Sequence, residues 1–180
     1  MRGRAATRLT RPAAEIVDIV DEEDVVVGVA LRPHMRRHRL LHRAVYILVF
    51  NSASELLIHQ RTAIKDVYPS HWDIAFGGVV GAGESYEVAA ERELAEEAGL
   101  SAALEPLFEL SFEDERSRVR GRAYRCVTDA PVTLQAAEVT RAEWIEATEI
   151  AARSARDPFC PDGLQVLETY LKSASLPPPF

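Results

Sequence analysis

Six glutamates fall within fourteen residues: Glu84, Glu87, Glu91, Glu93, Glu96 and Glu97. Such a stretch folds as a helix only if its acids share one face and an apolar stripe occupies the other. The spacing meets that condition. Glu93, Glu96 and Glu97 fall together, opposite Tyr86, Ala90, Leu94 and Ala98. Ser85 is placed as the N-cap and Gly99 as the stop, so a helix is predicted over residues 85–98. Three carboxylates on one face repel one another, and only Arg92 is near enough to offset them. A solvated face is one outcome. The sharper one is a hard cation such as Mg²⁺, which accepts one or two carboxylates together with phosphate oxygens.

The chain has 180 residues, 47% hydrophobic and 27% charged, the balance of a single globular domain. Its longest apolar run, residues 44–50, is far too short to span a membrane. The net charge of −7 disfavours the nucleic-acid backbone as a partner, whereas a small phosphate ligand bridged by metal suits an acidic site. Cys126 and Cys160 form no metal-type cluster, and a reduced cytoplasmic protein is expected. Residues 1–14 carry four arginines and no acid, and read as a basic N-terminal tail without an apolar signal segment. Residues 175–180 read as a disordered Pro-rich tail, which leaves one domain over residues 15–174.

Around the acidic helix the pattern is one of strands. A hairpin is predicted from residues 15–20 and 25–30, with Asp21-Glu22-Glu23-Asp24 between them. Residues 33–41 form a short basic helix opening at proline. Strands follow at 44–50, 55–60 and 72–76, then at 107–113, 118–127 and 143–146. A second long helix is predicted over 161–173. Strands interleaved with two helices imply an α/β sandwich on a mixed sheet.

Gly78 is followed after five residues by Glu84, and after seven more by Arg92-Glu93-Leu94-Ala95-Glu96-Glu97-Ala98-Gly99-Leu100. These are the fixed positions of the Nudix box, spanning residues 78–100, and the chain resembles the Nudix hydrolase superfamily. The resemblance implies an α/β/α sandwich with a loop–helix–loop catalytic motif. It implies that Glu93 and Glu97 bind Mg²⁺ or Mn²⁺, that Glu96 shares the metal or acts as base, and that the Gly77 carbonyl joins the shell. Arg92 would orient the glutamates through charge-assisted hydrogen bonds. Glu84 would either support the loop or hold metal through water.

His42-Arg43-Ala44, Arg61, Lys65, Tyr68-Pro69-Ser70 and Trp72-Asp73, with the N-terminal hairpin, resemble the branch that holds isopentenyl-diphosphate isomerases and YfcD-like hydrolases. Isomerases of that branch use a cysteine, with a histidine two residues on, where this chain has Gly77 and Val79. Glycine cannot replace a thiol in proton transfer, and the box glutamates are intact, so hydrolysis of a diphosphate linkage is expected. An isomerase and a non-catalytic nucleotide sensor are the alternatives.

Arg61 and Lys65 are candidate phosphate contacts, the first as a two-pronged fork and the second as a point charge, and Arg43 is a third substrate contact. Glu138, before the last strand, is a second candidate base beside Glu96. His34, His38 and His42 have a helical ligand spacing, yet a basic surface segment with Arg36, Arg37, Arg39 and Arg43 accounts for that stretch better. Tyr68 and Trp72 read as core residues. The expected partner is a small-molecule diphosphate, with a homodimer common for the family.

Overall fold

The computed structural model describes residues 15–174, so the expected tails at 1–14 and 175–180 lie outside the described residues. The chain runs β1 (Ile16–Val20), β2 (Val26–Leu31), α1 (Arg32–His38), β3 (His42–Phe50), β4 (Leu56–Arg61), β5 (Trp72–Asp73), α2 (Tyr86–Ala98), β6 (Glu105–Glu113), β7 (Arg118–Val127) and β8 (Val139–Ile145). A 3₁₀ turn (Ala147–Glu149), α3 (Ile150–Ser154) and α4 (Pro161–Ala174) complete it.

The Asp-Glu-Glu-Asp stretch makes the first hairpin. The Asp21 carboxylate accepts the amides of Glu23 and Val25 at 3.0 and 2.9 Å, and Asp24 takes a left-handed conformation with φ 63°. β3 is the central strand. It pairs in parallel with β7 along its whole length, from His42 opposite Val119 to Phe50 opposite Val127, and β7 pairs antiparallel with β6.

Alternation along β3 divides the interior into two layers. Ala44, Tyr46, Leu48 and Phe50 pack with Trp72 and with Val166 and Leu167 of α4. Val45, Ile47 and Val49 pack on the other side with Tyr86, Ala90, Leu94 and Ala98. The apolar stripe of the acidic helix is therefore its packing face. Ser85 caps that helix by accepting the Val88 amide at 3.3 Å, and Gly99 ends it at φ 65°. The architecture is the expected mixed sheet between helices, with the N-terminal hairpin at one edge.

One departure from the predicted strands shapes the site. β3 and β4 meet only at Phe50 and Leu56, then diverge. β4 pairs instead with β8 and, briefly, with β5. The predicted strand at 72–76 is thus cut short at Asp73. Beyond it the chain crosses over to β3, where Phe76 and Ile47 exchange hydrogen bonds of 3.0 and 2.7 Å and Val45 donates to the Gly78 carbonyl at 3.0 Å. Glycine permits the crossing. Gly77 has φ 148°, and a Cβ there would lie 2.0 Å from the Val45 carbonyl oxygen.

β8 begins at Val139, four residues before the predicted strand, because pairing with β4 from Leu56 to Arg61 carries Val139, Arg141 and Ala142 into the ladder, with a one-residue shift at Thr140. The 3₁₀ turn and α3 were not predicted. Helical ligand spacing of the three histidines is not realised, since His34 and His38 lie on α1 with ring centroids 4.3 Å apart at a 43° tilt while His42 opens β3.

Leu94 is 1% exposed in the layer between α2 and β3. Leu94→Ala is expected to cost ~2–5 kcal/mol in a urea melt while the folded fraction keeps its carboxylate face. A loss below ~1 kcal/mol would show that the stripe does not anchor the helix.

Candidate active site

Helix α2 turns its acids to different depths. Glu97 is 2% exposed and accepts the Gly77 amide at 3.2 Å and the Lys65 ammonium at 3.2 Å. Glu93 lies against Gly78, where an added Cβ would sit 2.7 Å from its carboxylate oxygen. Burial, followed by the charge of Glu97, pushes the Glu93 carboxyl up to about 7, against the pull of Arg92. Glu96 is the outer member, 44% exposed and 3.6 Å from Arg92.

Arg92 organises the acids. Its Nε and Nη2 donate to the two oxygens of Glu84 at 2.9 and 2.8 Å, and its Nη1 donates to Glu93 at 2.6 Å. The bond to Glu84 is the main cause holding its guanidinium pKa above the ordinary value. Glu84 also accepts the Gly81 amide at 2.9 Å, so its oxygens are committed to the loop and to Arg92.

A cleft opens where β3 and β4 part. Arg61, Lys65, Gly77, Gly78, Glu93, Glu97 and Glu138 all line it. The register of β4 and β8 brings Glu138 there. Val139 pairs with Arg61, and the Glu138 carbonyl accepts the Thr62 amide at 3.0 Å. Lys65 then bridges Glu97 and Glu138. Arg61 reaches Asp73 at 3.5 Å and donates to the Val67 carbonyl at 3.0 Å.

Two expected site residues are not brought to this cleft. Arg43 has the wrong parity on β3. It faces the α2 side, 2.7 Å from Asp24 and above the Tyr86 ring, so the structure does not place it as a substrate contact. Glu96 stands on the outer face of α2 and does not line the cleft. Arg36, expected on a basic surface segment, enters the cleft instead.

The cleft also contains residues that sequence reasoning passed over: Arg32 from α1, Tyr46 from β3, Asp73, Ser117 and Asp162. Arg32 and Arg36 stand one helical turn apart and so share a face, but their spacing does not say that this face turns inward. Asp73 and Asp162 form a buried acid pair. Burial, with Asp162 adding to it, pushes Asp73 up to about 7 against the opposing charge of Arg61. Tyr46 donates its hydroxyl to Asp162 at 3.1 Å, and burial pushes the Tyr46 phenol well above its usual value. His42 is driven down to about 3 by burial and by Arg36, so its ring is neutral. Its Nδ1 donates to the Leu40 carbonyl at 2.9 Å, which leaves Nε2 as the acceptor 3.4 Å from Arg36.

Residues 40–168 match the NUDIX domain family, and the chain belongs to the Nudix hydrolases. It is 43% identical over 160 residues to the uncharacterized Nudix hydrolase PA4841 of Pseudomonas aeruginosa, covering 88% of this chain and 94% of that one. It is 40% identical over 163 residues to the uncharacterized Nudix hydrolase YfcD of Escherichia coli K12, covering 89% and 88%. The crystal structure of DR0079 from Deinococcus radiodurans superposes with a TM-score of 0.76 at 30% identity, over 86% of this chain and 98% of that one.

The acid pair gives a pH test. The folded chain keeps a proton on Asp73 between 3.8, its ordinary value, and about 7, where the unfolded chain has lost it. The stability tied to that proton is complete below the lower value, declines as pH rises through the window and is gone above it. Asp73→Asn should therefore flatten the decline of Tm across that window. An unchanged slope in thermal melts would show that Asp73 is ionised throughout.

Proposed function

We propose that the chain is a Mg²⁺-dependent hydrolase of a diphosphate linkage in a small molecule, such as a nucleoside diphosphate derivative or a similar organic diphosphate. The observation that carries this reading is the Lys65 ammonium between Glu97 and Glu138. A cation is already seated among carboxylates at the point where the family resemblance puts metal. The donors are oxygens throughout, which suits a hard ion. Among the described residues no three acidic, histidine or cysteine side chains close around one point. That fits an ion held by one or two carboxylates and completed by substrate oxygens and water.

Glu93 and Glu97 would hold the ion, with the Gly77 carbonyl as a further donor, whereas Glu96, expected to share the ion, stands outside the cleft. Bound there, Mg²⁺ supplies countercharge and Lewis-acid polarisation of phosphoryl oxygens. Arg92 holds the Glu93 carboxylate in place from behind. Arg61 and Lys65 bind the phosphoryl groups. Glu138, in the cleft, is better placed than exposed Glu96 to take the proton of the attacking water. One P–O bond forms to that water, the anhydride P–O bond breaks, and the leaving phosphate takes the electron pair. The proton passes from Glu138 to solvent.

Gly77 also argues against isomerisation, because its position has no room for a Cβ, let alone a thiol. Two free buried cysteines support a reduced, cytoplasmic setting. Among the described residues no helix is long and apolar enough to cross a membrane.

The test is phosphate and pyrophosphate release across a diphosphate panel, in chelator and then in Mg²⁺ or Mn²⁺. Turnover is expected only with metal, and full activity after exhaustive metal removal would end the proposal. Glu97→Gln should lower kcat by more than about 100-fold. It should change the chelated Tm little, since the amide oxygen can still accept the Gly77 N–H, Lys65 keeps Glu138, and relief of the charge beside Glu93 offsets the lost Lys65 pair. Glu138→Gln should cost more activity than Glu96→Gln, and the reverse order would make Glu96 the base.

A further inference from the structure

The arginines of α1 are short of countercharge. Met35, fully buried, anchors the helix, and Arg32 and Arg36 point from its inner side into the cleft while Arg37 stays exposed. Both inner guanidiniums are mostly buried, their side chains 19% and 20% exposed. Arg32 is paired with Glu15 at 2.8 Å. Beyond that, the two share one carboxylate, Asp66, at 3.6 and 3.7 Å, too long for hydrogen bonds. The Nε atoms of Arg32, Arg36 and Arg61 are buried without a hydrogen-bond partner. Such groups carry the full cost of desolvation until an acceptor arrives.

Arg36 is the less compensated of the two. Its Nη1 meets only neutral groups, the Ser117 hydroxyl at 3.1 Å and the His42 ring at 3.4 Å. Burial, with Arg32 and Arg61 adding to it, pulls its pKa below the ordinary value despite Asp66. Asp66 is not built in as firmly, for its side chain is 43% exposed. Burial works against its charge, yet Arg32, Arg36, Lys65 and Arg61 together hold its pKa below the usual carboxylate range. The cluster attracts an anion more strongly than this half-exposed acid satisfies it.

We propose that Arg32 and Arg36 form a subsite for the terminal phosphoryl group of the substrate, whose place the Asp66 carboxylate holds in the free protein. The two guanidiniums offer unused donors, and a phosphoryl group brings more acceptor oxygens than a carboxylate. Asp66 can leave toward water with little desolvation cost. Behind Arg36 stand His42 and Ser117, 1% and 5% exposed, so a group bound between the two arginines has no open path on that side. The substrate class is then an organic diphosphate with a free terminal phosphoryl, not a diphosphate substituted at both ends. This inference rests on the hydrolase reading for the word substrate, but the subsite itself does not need turnover.

The test therefore reads binding alone. Methylenebisphosphonate, which cannot be hydrolysed, is titrated calorimetrically into the full chain in chelator at fixed ionic strength. Asp66→Asn should bind it about three- to tenfold more tightly than the parent. Arg36→Met should bind at least about tenfold more weakly, while Arg37→Met, the same charge change on the outer face, should match the parent. The doubly methyl-esterified bisphosphonate, with each end substituted, should bind at least about tenfold more weakly than the free one. Unchanged or weaker binding by Asp66→Asn overturns the proposal. So does equal loss in the two arginine variants, and equal binding of the two bisphosphonates overturns the terminal-phosphoryl assignment. If Arg36→Met fails to fold by circular dichroism, the Asp66→Asn comparison decides. A panel without turnover beside intact bisphosphonate binding would sink the hydrolase reading and leave the subsite standing.

Discussion

A carboxylate taken out of water has to be met by donors, and Glu97 is that carboxylate here. Its partners come from two separate loops, the Gly77 amide from the segment after β5 and the Lys65 ammonium from the segment after β4. Three stretches distant in sequence are thereby drawn to one point on α2. The approach is close enough that side chains are excluded from part of it. Gly77 rests on the Val45 carbonyl and Gly78 on the Glu93 carboxylate, so neither position can carry a Cβ without displacement. The glycines and the glutamates are one constraint seen from two sides.

The sheet supplies the space in which this happens. Had β3 and β4 paired along their length, the crossing segment would have had no edge to join and the cleft would not exist. They part after Phe50 and Leu56, and each finds a different neighbour, β7 for one and β8 for the other. The crossing segment then satisfies the freed edge of β3 near Val45 and Ile47. Because β8 pairs with β4 as far as Arg61, with a one-residue shift there, the residue just before β8 lands at the end of β4 beside Lys65. Backbone pairing, not side-chain attraction, delivers Glu138 to the acid cluster.

These features were unevenly legible in the sequence. Helix α2 could be read nearly to the residue, because its cap, stripe and stop agree. β7 matches its predicted span, whereas β8 hid its first half behind Thr140 and Arg141, polar residues at an irregular stretch of the ladder that carry no apolar signature. The parity of Arg43 could not be read at all. Residues 44–50 are apolar without interruption, since both faces of β3 are covered, and an unbroken run carries no phase. His42 and Arg43 are adjacent on that strand, so only the fold tells which enters the cleft. Arg32 and Arg36 were missed for another reason. Among so many basic neighbours in residues 32–43, nothing local distinguishes the turn that faces inward; the burial of Met35 does.

Lys65 and Asp66 give the cleft its electrical logic. They are consecutive residues of one loop, and each covers a cluster of the opposite sign: Lys65 the glutamates of α2, Asp66 the arginines of α1. Without them, the arginines would repel one another at one end of a mostly buried space and the glutamates at the other. With them each cluster is countered in part in the free protein, the glutamates more closely than the arginines. The same pairing sets the terms on which a ligand enters. A cation arriving alone competes with Lys65 and an anion arriving alone competes with Asp66, so each meets an occupied place. A cation and a polyanion arriving together displace both neighbours of one loop, and the displaced lysine is left beside the incoming phosphoryl oxygens. On the proposed function, a charge-matched pair of ligands such as a metal diphosphate would meet this arrangement better than either member alone.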